Sequence, residues 1–119
     1  MDARRVLIID DNVNLAENIA EILQLDGHLT NVAASAEEAF PKAAENEPDV
    51  VVTDYRLPGI SGAEFVRRFR LTRGKIRAVV ISAYTDDRTM KEAADAGATF
   101  IAKPVDFRLL SRFVRGGTA

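Results

Sequence analysis

The sequence predicts an α/β fold: five parallel strands in one sheet, each followed by a helix, with helices on both faces. Three observations carry this. Short apolar runs rich in β-branched residues recur along the chain. A segment with apolar residues at helical spacing follows each run. Capping and turn residues (Asn, Ser, Asp, Gly) separate the two kinds of segment.

Val6-Leu7-Ile8-Ile9 is a continuous apolar run that ends at a polar cluster, the pattern of a strand buried on both faces. Leu15, Ile19, Ile22 and Leu23 then follow i, i+4, i+7, i+8 on one helix face. Asn14 with Glu17 is the expected cap at its start, and Gly27 suits its left-handed exit. Leu29 to Ala33 is a weaker strand, placed nearer a sheet edge. Ser35 with Glu38 forms an S-x-x-E capping box before Ala39, Phe40 and Ala43. Pro41 falls inside that helix, where it removes a hydrogen bond at ~3 kcal/mol in a regular interior, so a kink or an irregular helix is expected. Val50 to Thr53 is the third strand. Ser61 with Glu64 is a second capping box, before Phe65, Val66 and Phe69. Ala78 to Ile81 is the fourth strand. Met90, Ala93 and Ala94 mark the inner face of the next helix, which Gly97 closes. Thr99 to Ala102 is the fifth strand. Leu109, Leu110 and Phe113 mark the last helix, opened by Asp106. Residues 116–119 read as a tail or a truncated linker, and 1–119 as one domain with its core at about 5–114.

The 119 residues, 47% of them hydrophobic, suffice for one domain with a sizeable core. Lys and Arg number 16 against 18 Asp and Glu, a net charge of −2, which argues against direct nucleic-acid binding. The absence of cysteine excludes disulfides, thiolate metal sites and cysteine nucleophiles, and a single histidine excludes a multi-histidine metal site. No apolar run approaches the ~20 residues of a membrane span, and the first residues lack a signal-peptide core. The expectation is a cytoplasmic protein without membrane contact.

In open α/β sheets, ligands bind beyond the carboxyl ends of the strands. Strand 1 here ends in Asp10-Asp11, strand 3 in Asp54, strand 4 in Ser82 and strand 5 in Lys103-Pro104. Each of these alone reads as turn or cap chemistry. Three carboxylates, a hydroxyl and an ammonium at one sheet edge do not. Two carboxylates ~4 Å apart repel by about 4 kcal/mol at an effective dielectric of 20, so the cluster needs Lys103 and a cation. All-oxygen ligands with few protein donors suit Mg²⁺, with Mn²⁺ as a substitute. A metal, a lysine and a hydroxyl around one carboxylate are the parts that neutralise a phosphoryl group in transfer.

Taken together, VLIIDD at 6–11, VVTDYRLPG at 51–59, Gly62, VVISA at 79–83, Gly97-Ala98 and Lys103-Pro104 resemble a receiver domain of a two-component response regulator. The resemblance covers the chain from about Arg5 to Val114. It implies a flavodoxin-like doubly wound sheet of order 2-1-3-4-5. It also implies that Asp54 accepts a phosphoryl group from a sensor histidine kinase or a histidine phosphotransfer domain. Asp10, Asp11, Asp54 and the backbone carbonyl of Arg56 would hold Mg²⁺. Ser82 and Lys103 would contact the phosphoryl oxygens, and Ser82 with Phe100 would form the switch. Arg56 and Tyr84 would modulate phosphoryl lifetime. The Lys103–Pro104 peptide bond would be cis. Such a domain catalyses only its own phosphorylation and dephosphorylation. It would act on a downstream protein or a fused output domain and could dimerise when phosphorylated.

His28 follows the Gly27 turn, far in topology from the acidic cluster, and is read as structural. Arg88, Lys91, Arg108, Arg112 and Arg115 form a solvated face by default, on a side that this family often uses for output. Three other classes compete. A Mg²⁺-dependent aspartyl-phosphate phosphatase would carry an acid two residues after the nucleophile, where this chain has Arg56. A flavin binder would carry a glycine- and hydroxyl-rich phosphate loop, where this chain has Asp10-Asp11-Asn12. A non-phosphorylated interaction module would have no use for the complete acidic cluster.

Overall fold

The computed structural model describes residues 3–116. In chain order the elements are β1 (Arg5–Ile9), α1 (Val13–Leu25), β2 (Leu29–Ala33), α2 (Ala36–Asn46) and β3 (Val50–Asp54). They continue with α3 (Gly62–Arg73), β4 (Arg77–Ser82), α4 (Asp87–Asp95), β5 (Thr99–Ala102) and α5 (Phe107–Val114). The five strands form one sheet of order β2-β1-β3-β4-β5, and every neighbouring pair is parallel. This is the doubly wound arrangement expected from the alternating pattern.

Successive side chains of a strand point to opposite faces, so the apolar runs of the central strands feed two cores. Leu7, Ile9, Val51 and Val80 pack on one side with Ala39, Ala43, Phe65, Val66, Phe69 and Ala93 of α2, α3 and α4. Val6, Ile8, Val52, Val79 and Ile81 pack on the other with Ile19, Leu23, Leu110 and Phe113 of α1 and α5. On the first side the Phe65 ring lies 4.6 Å from Phe40 and 5.6 Å from Phe69, so three aromatic rings tie α2 to α3.

The helix starts follow local chemistry. The Ser35 and Ser61 side chains accept the backbone N–H of Glu38 and Glu64, both at 3.1 Å, and Asp106 caps α5. The cap of α1 is Asn12 rather than Asn14: its side chain accepts the Leu15 N–H at 3.1 Å. Asn12 lies nearer the strand end, so the helix begins as soon as the chain leaves β1. Gly27 has φ +92° and makes the left-handed exit.

Two other expectations differ from the structure. The helix α2 runs unbroken through Pro41. Pro41 and Glu37 are both on the exposed side, so the Glu37 carbonyl that loses its i+4 donor faces water. The buried residues of α4 are Thr89 and Ala93, whereas Met90 is 43% exposed and Ala94 is exposed. Small side chains at 89 and 93 let this helix approach the sheet, and the long Met90 side chain stays outside. Of the tail, Gly116 is described and 117–119 lie outside the described residues.

His28 is 3% exposed, and its Nδ1 accepts the Arg4 N–H at 3.0 Å. The neutral ring therefore carries its proton on Nε2, which is buried without a partner among the described residues. Burial holds its pKa below 6.5; the Asp26 carboxylate opposes this shift, and Arg4 and Arg115 reinforce it. Above pH ~6.5 neither state is charged, and the contribution of His28 to stability is complete. Below that the unfolded chain takes up a proton that the folded one resists, so stability is lost as pH falls. The His28→Gln variant should therefore show a shallower loss of melting temperature than the native chain between about pH 7 and pH 5, by a few degrees at the acid end. Parallel melts across that range measure the difference; identical slopes would assign the titration elsewhere.

Candidate functional site

The carboxyl ends of β1, β3, β4 and β5 meet at one edge of the sheet, and the chemistry gathers there. Asp10 follows β1 directly, and its N–H donates to Ala33 O at 3.0 Å. Its Oδ1 accepts the Asn12 N–H at 2.9 Å, which turns the carboxylate back over the strand end. Asp54 is the last residue of β3, opposite Ile81 of β4. Asp11 stands beside them, exposed. Each of the three offers a carboxylate oxygen, and these oxygens lie within 4.8 Å of one another. Lys103 Nζ approaches Asp54 Oδ1 at 3.2 Å and Asp10 Oδ2 at 3.8 Å.

Burial sets the electrostatics. Asp10 is 3% and Asp54 8% exposed. Loss of solvation pushes both pKa values above the ordinary 3.8. For Asp54 the Asp10 charge adds to that rise, and Lys103 opposes it; for Asp10 the Asn12 amide and Lys103 oppose it. One ammonium facing three carboxylates leaves the site short of positive charge. Three oxygen donors at this separation, open on the Asp11 side, fit a hard divalent ion of the Mg²⁺ type.

Around this centre, Ser82 is 1% exposed and its Oγ accepts the Tyr84 N–H at 2.9 Å. Its hydroxyl proton has no acceptor among the described residues and is available to an incoming oxyanion. The Ser82 carbonyl accepts the Lys103 N–H at 2.9 Å, which joins the ends of β4 and β5. The Lys103–Pro104 bond is cis, as the resemblance implies. The Arg56 guanidinium lies 4.6 Å from the centroid of the Tyr84 ring, so these two exposed residues meet above the β3 and β4 ends. Phe100 sits opposite Val80 on β5, half-buried against the α2–α4 side of the core.

Two features of the site were not legible as such. Gly62 opens α3 against the end of β3: its N–H donates to Tyr55 O at 2.9 Å. A Cβ there would fall 2.1 Å from Asp54 O and 2.6 Å from Thr53 Oγ1. Thr53 Oγ1, fully buried, donates to that same Asp54 carbonyl at 2.9 Å. A glycine directly after a Ser cap was the signal, but its reason lies in the residues across the gap. The second feature is Tyr55. Its N–H donates to Ile81 O at 2.8 Å and its hydroxyl to Glu92 Oε2 at 2.5 Å, a bond that raises the phenol pKa. The residue next to Asp54 is thereby tied to α4.

The sequence model of the response regulator receiver domain matches residues 6–115. The chain belongs to this family. It is 30% identical over 103 residues to sporulation initiation phosphotransferase F of Bacillus subtilis, covering 86% of this chain and 83% of that protein. It is 38% identical over 103 residues to a response regulator receiver protein of Anaeromyxobacter sp. (strain Fw109-5), covering 86% of this chain and 43% of that protein. About half or less of the length is spanned in several other relatives, among them the transcriptional activator ExaE of Pseudomonas putida at 47%. Among solved structures, the CheY-like receiver domain protein of Methanospirillum hungatei JF-1 superposes with a TM-score of 0.89 at 25% identity, over 96% of this chain and 92% of that one. The chemotaxis protein CheY4 of Vibrio cholerae gives 0.87 at 26% identity, over 96% and 98%. No helix among the described residues is long and apolar enough to cross a membrane.

Gly62→Ala should push the start of α3 away from the Asp54 carbonyl, and backbone on both sides resists the move. A loss of about 2–3 kcal/mol is expected, read as a fall of roughly 10 °C or more in melting temperature. An unchanged melt would show that the α3 start yields freely.

Proposed function

We propose that residues 1–119 form one receiver domain that works as a phosphorylation-controlled switch, with Asp54 as phosphoacceptor. The observation that carries this reading is the buried Asp54 carboxylate with Lys103 Nζ 3.2 Å away and two further carboxylates within reach of a shared cation. The donor is a phosphohistidine of a sensor kinase or phosphotransfer protein. An Asp54 carboxylate oxygen attacks phosphorus, the P–N bond breaks, and its electron pair stays with the imidazole of the donor. Asp10, Asp11 and Asp54, with the Arg56 carbonyl, would hold Mg²⁺, which would supply positive charge beside the phosphoryl oxygens. Lys103 Nζ pairs with a second oxygen, and the Ser82 hydroxyl donates to a third.

The resting site is already poor in positive charge, so the added phosphoryl charge makes Lys103 and a cation more necessary. The raised pKa values of Asp10 and Asp54 express carboxylates short of solvent and counter-charge. Phosphorylation turns the Asp54 carboxylate into an acyl phosphate, a mixed anhydride, and places its negative charge on phosphoryl oxygens facing Lys103 and Ser82. Ser82 then turns its free hydroxyl proton to the phosphoryl group, and Phe100 responds on the neighbouring strand. The surface of α4, β5 and α5 changes as a result and controls a downstream protein or a fused output domain. No external product turns over, and the setting is cytoplasmic.

Incubation with acetyl phosphate and Mg²⁺ should add one phosphoryl group by intact mass, and chelation of divalent ions should abolish the gain. Asp54→Asn should remove it, because an amide is no nucleophile, and Asp11→Ala should slow it at least tenfold by removing a metal ligand. Full labelling of Asp54→Asn at the same residue position, mapped by peptide mass, would sink the assignment.

The Arg56–Tyr84 pair covers the approach of water to the Asp54 phosphoryl group. The Arg56→Ala, Tyr84→Ala double variant should lose its phosphoryl group several-fold faster than the native chain. Decay of the labelled mass with time reads this directly, and equal rates would remove the shielding role.

A further inference from the structure

At the pole of the sheet opposite the acidic site lies a hollow of about 520 Å³. Among the described residues, Arg4, Arg70, Arg73 and Lys75 line it with one carboxylate, Asp49; Arg77 also lines it but is engaged elsewhere, donating to Phe113 O at 2.8 Å with its guanidinium 4.3 Å from the Phe113 ring centroid. The chain as a whole has a net charge of −2, so this concentration runs against its composition. Bringing like charges together is unfavourable unless something of opposite sign joins them.

The way these side chains are held is informative. Arg70 donates to Ile76 O at 2.7 Å and Arg4 to Arg115 O at 3.3 Å. Neutral carbonyls fix their direction and leave their charge uncompensated. Arg4 Nε is buried with no acceptor, and Lys75 is exposed with no ion pair among the described residues. Arg73 pairs with Glu47 at 2.9 Å, and Asp49 already accepts the Arg5 N–H at 2.9 Å. The donors come from three separate segments, the residue before β1, the end of α3 and the approach to β4, which meet at one compact hollow. That arrangement suits a compact oxyanion with acceptors in several directions more than an extended acidic peptide. Guanidinium forks match phosphoryl oxygens, and a diphosphate offers two such groups within one small volume. Pro48 and Ile76 add an apolar wall.

We propose that this hollow binds a diphosphate group, independently of phosphorylation at Asp54. The group comes either from free pyrophosphate or from a nucleoside diphosphate. The test is an amide NMR titration of the full chain in divalent-free buffer, at constant ionic strength, with pyrophosphate, ADP, AMP and orthophosphate. Pyrophosphate should give saturable shifts confined to Asp49, residues 70–77 and the residues around Arg4. Lys75→Ala, an exposed loop substitution, should weaken that binding at least fivefold, and Arg73→Ala with it further; Lys91→Ala on α4 should leave it unchanged. Saturation by ADP but not AMP identifies a nucleotide as the source, and saturation by pyrophosphate alone identifies free oligophosphate. Equal responses to orthophosphate and pyrophosphate would mean an adventitious ion only and overturn the proposal. So would shifts that Lys75→Ala does not weaken, or shifts centred on Asp10, Asp11 and Lys103.

Discussion

Two carboxylates buried side by side are the constraint on which the rest of this molecule depends. Asp10 and Asp54 are both nearly inaccessible, and both are pushed up in pKa by lost solvation. Nothing in hydrophobic packing favours that placement; only the sheet enforces it. Each of the central strands is apolar on both faces and held by a helix layer on each side, so their ends project together whatever stands there. Lys103, at the end of an outer strand, supplies part of the missing charge. The rest of the positive charge is what a hard divalent cation at the three carboxylate oxygens would supply.

The fold was readable because a parallel sheet writes its strands as unbroken β-branched runs, and Ser35, Ser61 and Asp106 mark the helix starts by bonds within four residues. The site was readable for a related reason: parallel strands bring all their carboxyl ends to one edge, so residues 10, 54, 82 and 103 are assembled by topology alone. What escaped depends on partners distant in sequence. The cap of α1 moved to Asn12 because Asp10 takes the Asn12 amide and shapes the turn. The inner row of α4 uses Thr89 because the approach of helix to sheet selects small side chains, which hydropathy does not score. Pro41 disturbs nothing visible because its lost bond faces solvent, a fact of orientation rather than composition.

Between the acidic edge and α4 runs a short covalent and hydrogen-bonded path. Tyr55 adjoins Asp54 in the chain, its amide is held by β4, and its hydroxyl is held by Glu92. Glu92 also receives the exposed Arg88 at 3.2 Å. Any adjustment of the β3 end is thus felt by α4 through a bond rather than through loosely packed apolar contacts. The α3 start is fixed more rigidly still, by backbone that Gly62 alone can approach.

The central strand β3 has one more consequence. Its first three residues are all valine, fully enclosed on both faces. Sliding this strand by one residue would exchange valine for valine between two cores of similar character, so side-chain burial does little to forbid the slip. The ends forbid it. One step of translation would carry the Asp54 carboxylate into the fully enclosed place of Thr53, away from Lys103 and from water, and would strip the Asp54 carbonyl of its Thr53 and Gly62 surroundings. The buried carboxylate at the end of β3 is therefore also the index mark that keeps the middle strand in step.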